Sequence, residues 1–361
     1  MGLIRFMLAI SVVIAHTSDL FGFGFVGGEM AVKIFFMISG FYMALILNEK
    51  YIGANSSYWL FLKNRLLRLY PLYFLVLFLT LIITYFGYSI NPSIQSAYTS
   101  FLTYGDQLSS STMAYLITAN GAMFGMDTSL FLGLNPTTGE LFFTQNFFLT
   151  NPKVHSFLYV PQAWSISIEL MFYLIAPLIV RKLKILFIVL VLSFSIALIL
   201  MLAEFPNDPW NYRFFPSQLM YFAFGSIGYI IFTKIKSSGI RIFENLKWIF
   251  FLITLFVTLM YSFILLYIDA FVLSIITIII YMIAIPLIFD LSKNWKKDRF
   301  VGELSYSIYM IHILIIYCIK LTGITNLFIF GLSEMAVFST VIVSIIVYKL
   351  FLEKLEKYRR I

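Results

Sequence analysis

The run Ile185-Leu186-Phe187-Ile188-Val189-Leu190-Val191-Leu192-Ser193-Phe194-Ser195-Ile196-Ala197-Leu198-Ile199-Leu200-Met201-Leu202-Ala203 decides the fold class. It carries no ionisable side chain. As a helix it rises about 28 Å, close to the hydrocarbon thickness of a bilayer. Arg181, Lys182 and Lys184 stand just before it, as charges do at a membrane surface. Comparable apolar windows recur in both directions, at roughly 5–21, 31–48, 69–88, 164–180, 214–233, 248–267, 270–290, 303–320 and 332–352. With 185–203 they predict an all-α bundle of about ten transmembrane helices. Composition agrees. Of 361 residues, 61% are hydrophobic, 19% aromatic and only 12% charged, and mean hydropathy is +0.93. A soluble domain carries about 25% charge, so a soluble enzyme, a disordered chain, a coiled coil and a secreted disulfide scaffold are all excluded.

The charges that remain are ordered. With a cytoplasmic N-terminus, the inner connections hold Lys50, Lys63, Arg65 and Arg68, then Arg181, Lys182 and Lys184. Lys234, Lys236, Arg241 and Lys247 follow, then Lys293, Lys296, Lys297 and Arg299, and finally Lys349, Lys354, Lys357, Arg359 and Arg360. The outer connections hold Lys153, Arg213 and Lys320. Alternation in step with ten spans predicts both termini in the cytoplasm. The net charge of +8 is then a topology signal and not a nucleic-acid footprint. Residues 89–163 are polar and rich in turn signals. They are predicted to form a long extracytoplasmic loop that dips toward the membrane around 113–134 and helps form a substrate mouth. Arg5 followed by the apolar run to Val13-Ile14-Ala15 also fits a cleavable signal peptide, which charge counting alone leaves open. Cys318 is the sole cysteine, so neither an intrachain disulfide nor a zinc cluster is expected. Gly22-Phe23-Gly24-Phe25-Val26-Gly27 fits a dinucleotide pattern but lacks the strand and helix that would give it meaning.

Polar residues inside apolar spans are the candidates for chemistry. Arg5 and His16 are eleven residues apart, three turns plus about 20°, so they share one helix face with His16 about 16 Å deeper. A neutral imidazole bonded to a neighbouring helix is the plainer alternative. Ser39 and Gly40 are small enough to let backbones approach; Lys33 can snorkel to the interface. Arg65 and Arg68, at i and i+3, form a fork suited to phosphate, although a positive stop before a span explains them equally. Ser165 and Glu169 share a face one turn apart. Glu169 must pair, protonate or line water, whereas Trp164 also suits a membrane-interface belt. Ser305, Tyr309 and His312 fall on one stripe, which makes either a shared cavity or an interhelical hydrogen-bond seam.

Together these segments resemble the membrane acyltransferase-3 family, integral membrane O-acyltransferases acting on sugars and polysaccharides. The matching pieces are Arg5 with ten residues to His16, Phe35-Phe36-Met37-Ile38-Ser39-Gly40-Phe41, Arg65-Leu66-Leu67-Arg68-Leu69-Tyr70-Pro71, Trp164-Ser165 through Glu169 to Phe172-Tyr173, and Ser305-Tyr306 through Tyr309 to His312. They occur in the family's order over nearly the whole chain. The resemblance implies a single transmembrane acyltransferase domain with the first helix retained. It assigns His16 as the catalytic histidine, Arg5 as its basic partner, Glu169 as the acidic residue of the Trp-Ser motif, and Arg65 and Arg68 as the arginines at the CoA entrance. Ser39, Trp164, Ser165, Tyr309 and His312 then support or bind substrate. Lys33 departs from the pattern, because many members have Asp just before Phe-Phe-x-x-Ser-Gly; Glu29 is the nearby carboxylate.

The function expected on this basis is acetyl transfer from acetyl-CoA, without a metal, to a hydroxyl of a cell-envelope or exopolysaccharide sugar. The setting it implies is a multi-pass protein of the bacterial cytoplasmic membrane. The partners are lipid bilayer, acyl-CoA and a saccharide acceptor, with no nucleic acid. Two rivals also use intramembrane His, Glu and Arg: a transporter or flippase of a lipid-linked saccharide, and a polysaccharide polymerase. Neither needs acyl-CoA.

Overall fold

The computed structural model describes residues 1–52, 57–239, 243–324 and 331–359. Arg241 and Arg360 therefore lie outside the described residues. The helices are α1 (Gly2–Ala15), α2 (Gly28–Glu49), α3 (Tyr58–Ile90), α4 (Ala97–Tyr104), α5 (Ser110–Ala122), α6 (Trp164–Ile179), α7 (Leu183–Leu202), the single turn α8 (Asn207–Trp210), α9 (Phe215–Ser237), α10 (Glu244–Ile264), α11 (Ala270–Ser292), α12 (Lys296–Thr322), α13 (Leu332–Val347) and α14 (Glu353–Arg359). Among the described residues, nine helical stretches are long and apolar enough to cross a membrane.

The first span differs from the expectation. α1 ends at Ala15, with His16 as its C-cap. Its 14 residues rise only about 21 Å, short of the hydrocarbon core. The chain turns after it and forms a tight bridge between Leu20 and Phe23. The third span differs in the other direction. It begins at Tyr58, not near 69, and runs 33 residues through Pro71. Ser57 caps it by accepting from Leu60 N–H. The stretch carrying Arg65 and Arg68 is thus helix, not connection.

Burial shows which helices are central. On α3 the buried stripe Leu69, Leu72, Tyr73, Val76, Thr80, Thr84 and Gly87 has the three- and four-residue spacing of a single inward face. On α7 only Leu186 and Ser193 are buried, as suits a peripheral helix whose apolar remainder meets lipid. α2 and α9 cross at backbone contact. A Cβ on Gly40 would stand 2.0 Å from the carbonyl oxygen of Phe222, and one on Gly225 would stand 1.8 Å from that of Met37. Small residues on both helices make this crossing possible.

The basic connections gather at one end of the bundle. Arg181 donates to the carbonyls of Leu47 and Tyr51. Asp290 pairs with Lys236, Lys247 and Lys293. Asp298 accepts from the N–H groups of Gly2 and Leu3, at 2.7 and 2.8 Å, capping α1 from the start of α12. We call this the basic end. The segment 89–163 covers the opposite end and is folded, not a plain loop. It contains α4, α5 and a hairpin of β1 (Leu132–Leu134) and β2 (Leu141–Phe143). The hairpin turns where Asn135 Oδ1 accepts from the N–H groups of Thr137 and Thr138. Leu116, Leu134, Val154 and Phe157 form its own small core. Its middle sinks into the bundle. Tyr70 donates to the Ala122 carbonyl, Tyr73 to that of Asn120, and Gly125 N–H to Ser167 Oγ at 2.8 Å.

Candidate active site

Five helices converge on a small internal cavity of about 100 Å³. α1 contributes Arg5, α2 Phe35, Phe36 and Ser39, α3 Arg65 and Arg68, α6 Ser165 and Glu169, and α12 Ser305, Tyr306 and Tyr309. α2, α3, α6 and α12 present these groups at i, i+3 or i+4, the spacing of one face.

Glu169 organises the cavity. Its Oε1 accepts from Ser39 Oγ and from Tyr173 OH, both at 2.5 Å. Ser39 is therefore a cavity residue, while the packing role expected of the Ser39-Gly40 pair falls to Gly40. Three guanidinium groups share this space. Arg68 approaches Glu303 at 3.7 Å. Arg65 lies against the Phe61 ring at 6.0 Å, and its buried Nε has no partner among the described residues. Arg5 completes the set. Among the described residues, three arginines stand with two carboxylates, Glu169 and Glu303, an excess of one positive charge. Such a site suits an anion, which guanidinium can bind bidentately.

Toward the opposite end, Tyr309 closes the cavity. Its OH shares a 2.5 Å hydrogen bond with Ser165 Oγ and donates to the Gln162 carbonyl at 2.9 Å. The Phe35 ring meets it at 6.4 Å. Behind this wall stand two histidines with ring centres 5.1 Å apart, His16 and His312. His312 is fully buried, with Nδ1 2.7 Å from the Tyr309 carbonyl and Nε2 without a hydrogen-bond partner among the described residues. That contact makes Nδ1–H the donor. His16 is exposed and lies within the fields of Arg213 and Lys320.

The structure thus divides the residues singled out by sequence. Arg5, Ser39, Arg65, Arg68, Ser165, Glu169 and Tyr309 meet at the cavity. His16 and His312 pair outside it, past Tyr309. Trp164 does neither. It is buried under the Arg213 guanidinium at 4.5 Å and beside Tyr212, not in an interface belt. Arg213 is itself held by Asp208 through two bonds of 2.6 and 2.9 Å. Lys33 points away from the cavity, bonded to Glu29 at 2.6 Å and facing Tyr221; Glu29 also accepts from Asn207.

Four participants escaped sequence reading. Tyr173 was seen only as part of a motif and proves to hold Glu169. Tyr306 donates to the Leu69 carbonyl beside Pro71. Gln162, just ahead of α6, donates to the Met310 carbonyl at 2.6 Å, and its buried Oε1 has no hydrogen-bond partner among the described residues. Asp127 accepts from Ser167 at 2.7 Å. Gln162 and Asp127 stand in polar connecting sequence, where no periodicity marks them. Among the described residues, no group of three or more His, Cys, Asp or Glu is placed to hold a metal ion.

The sequence model of the acyltransferase-3 family (acyltransferase domain) matches residues 1–349. Protein 2 in picA locus of Rhizobium radiobacter is 39% identical over 83 residues, which are 23% of this chain and 42% of that protein. The chain therefore spans less than half the length of this curated relative. No solved structure matches.

Proposed function

Because the chain belongs to the acyltransferase-3 family, and is a membrane acyltransferase, we propose that it transfers an acetyl group from acetyl-CoA to a hydroxyl of an envelope or extracellular saccharide. The observation that carries this reading is the arginine-rich cavity ending at a tyrosine wall with a histidine pair behind it.

The donor is read as entering from the basic end, which we take as cytoplasmic. Arg65 and Arg68 hold the CoA phosphates, with Arg65 Nε offering an unused donor. Segment 89–163 then faces the extracytoplasmic side, where the acceptor arrives. His16 takes the proton of the attacking hydroxyl, the oxygen bonds to the thioester carbon, and the carbon–sulfur bond breaks to release CoA thiolate. Tyr309 and Phe35 must part for donor and histidine to meet. Glu169, fixed by Ser39 and Tyr173, balances the arginines and keeps the cavity wall in register.

The test is transfer of labelled acetyl from acetyl-CoA to envelope glycan in membranes, read by mass spectrometry of the ester. His16→Ala is expected to reduce transfer about 10²–10⁴-fold, the range of a general base, with the protein still folded. A well-folded His16→Ala variant with full activity refutes the assignment. An unchanged glycan after deletion of the gene refutes the saccharide acceptor.

A further inference from the structure

A second, larger cleft opens at the end opposite the basic connections. Its volume is about 730 Å³, within the range of small-molecule sites, about 300–1,000 Å³. It lies between the last turns of α3, the helix α4, residues 151–161 and the second half of α12. On α3 the rise from Lys63 to Thr84 is about 32 Å, roughly one hydrocarbon thickness, so the cleft sits at the far membrane surface.

Its position on α12 relates it to the cavity. Tyr306 lines the cavity, whereas Ile313 and Tyr317 line the cleft. These residues stand at i, i+7 and i+11, one face of one helix. The two spaces are therefore strung along a single α3–α12 seam. Between them lies the level of Gln162 and Tyr309. Pro161, lining the cleft, is chain-adjacent to Gln162.

The chemistry of the lining is specific. Hydroxyls dominate: Thr80 and Thr84 from α3, Ser96 and Thr103 from α4, and others between. Tyr104, Tyr159 and Tyr317 supply aromatic faces, and Phe101 stacks on Tyr159, fixing that ring. Among the described residues, no carboxylate lines the cleft and Lys153 is its one fixed cation. The floor is braced, since Asn120 donates to the Phe157 carbonyl and accepts from Tyr159 N–H. Hydroxyls and amides with aromatic faces match the alternating hydroxyl and C–H surfaces of a sugar ring.

We propose that this cleft is the acceptor subsite, and that it takes a short stretch of uncharged or weakly anionic glycan whose reacting hydroxyl is directed along the α3–α12 seam toward the level of Tyr309. The assignment rests on the saccharide-acyltransferase reading above.

The test places a single cysteine in a Cys318→Ser background. Thr103→Cys stands in the cleft, and Thr137→Cys stands on the exposed hairpin turn away from it. Intact cells carrying either variant are treated with a membrane-impermeant sulfonated methanethiosulfonate, and labelling is verified by protein mass. For Thr103→Cys, new O-acyl ester on envelope glycan is expected to fall at least tenfold relative to the same variant before treatment. Acetyl-CoA binding by the labelled, purified protein should stay within twofold. Labelled Thr137→Cys should acylate as before. Full acylation by stoichiometrically labelled Thr103→Cys overturns the cleft as acceptor site. So does labelling that succeeds only in inverted vesicles, which would put the cleft on the cytoplasmic face. If the Cys318→Ser parent binds acetyl-CoA but acylates no glycan, the saccharide reading itself fails, and the subsite with it.

Discussion

Replacing Gly40 by alanine should damage both stability and transfer, through one contact. The new methyl carbon would lie 2.0 Å from the Phe222 carbonyl oxygen, 2.7 Å from its carbon and 2.8 Å from its Cα. All three are backbone atoms of α9, so no side chain can swing aside. Ordinary contact near 3.5 Å requires α2 and α9 to separate by about 1.5 Å. Overpacking of this kind costs typically 1–3 kcal/mol, occasionally more. The same displacement reaches the site, because Ser39 is the preceding residue and its 2.5 Å bond to Glu169 does not survive a shift of that size. Misplacement by about 1 Å can cost 10²-fold in rate. We expect a clear fall in Tm of the detergent-solubilised protein and a loss in kcat of that order, with acetyl-CoA affinity less affected. Gly121→Ala is the internal control. Gly121 lies within α5 with nothing within 4 Å of its would-be Cβ, so alanine there should be neutral or stabilising by about 0.4–1 kcal/mol. Wild-type Tm and kcat for Gly40→Ala would refute the claimed backbone contact and the coupling to Glu169.

Three further outcomes are expected. Ser39→Ala and Tyr173→Phe each remove one charge-assisted bond to Glu169, worth about 1.5–3 kcal/mol; kcat for transfer should fall roughly 10–100-fold in each, with KM for acetyl-CoA little changed, and steady-state kinetics in membranes decide it. Arg65→Ala should raise KM for acyl-CoA with little loss of Tm, and Arg65→Lys should fail to restore it, because an ammonium cannot reproduce the guanidinium fork. His155 is held down at about 4 by burial first, then by Arg213 and Lys153. Its neutral form thus favours the fold above pH 6.5, and that contribution, up to about 3 kcal/mol, drains away as pH falls from 6.5 toward 4. A pH series of Tm should show a shallower acid decline for His155→Phe, which keeps the aromatic contact with Phe147.

Much of this architecture could be read from hydropathy alone. The run 185–203 and α7 coincide within two residues, because a lipid-facing helix is specified by nothing more than apolar length. The reading erred where tertiary contacts compete with that rule. Arg65, Arg68 and Pro71 suggested a boundary, yet α3 continues through them, since the arginines face a cavity and Tyr306 bonds the carbonyl of Leu69 beside the proline. α1 stops at Ala15, where His16-Thr17-Ser18-Asp19 interrupts the apolar run, and the chain folds back with His16 beside His312. Helical spacing brought Ser165 and Glu169, and Arg65 and Arg68, onto common faces. It had no means of pairing His16 with a residue on α12, nor of finding Gln162 or Asp127 in sequence without a period.

α7 gives the enzyme a route by which the bilayer itself can act on the site. It is held chiefly through Ser193, whose hydroxyl bonds the carbonyls of Pro216 and Ser217 and accepts from Met220 N–H at the start of α9. Leu186 is buried as well, and the exposed face of the helix answers to lipid. A membrane thicker or thinner than its 20 residues must tilt it or deform around it, at fractions of a kcal/mol per Å. Any tilt pulls at Ser193, and so at α9, whose Gly225 bears directly on the backbone of α2 at Met37. Membrane thickness is thereby a mechanical input to the helix that carries Ser39, applied through a segment that touches neither donor nor acceptor.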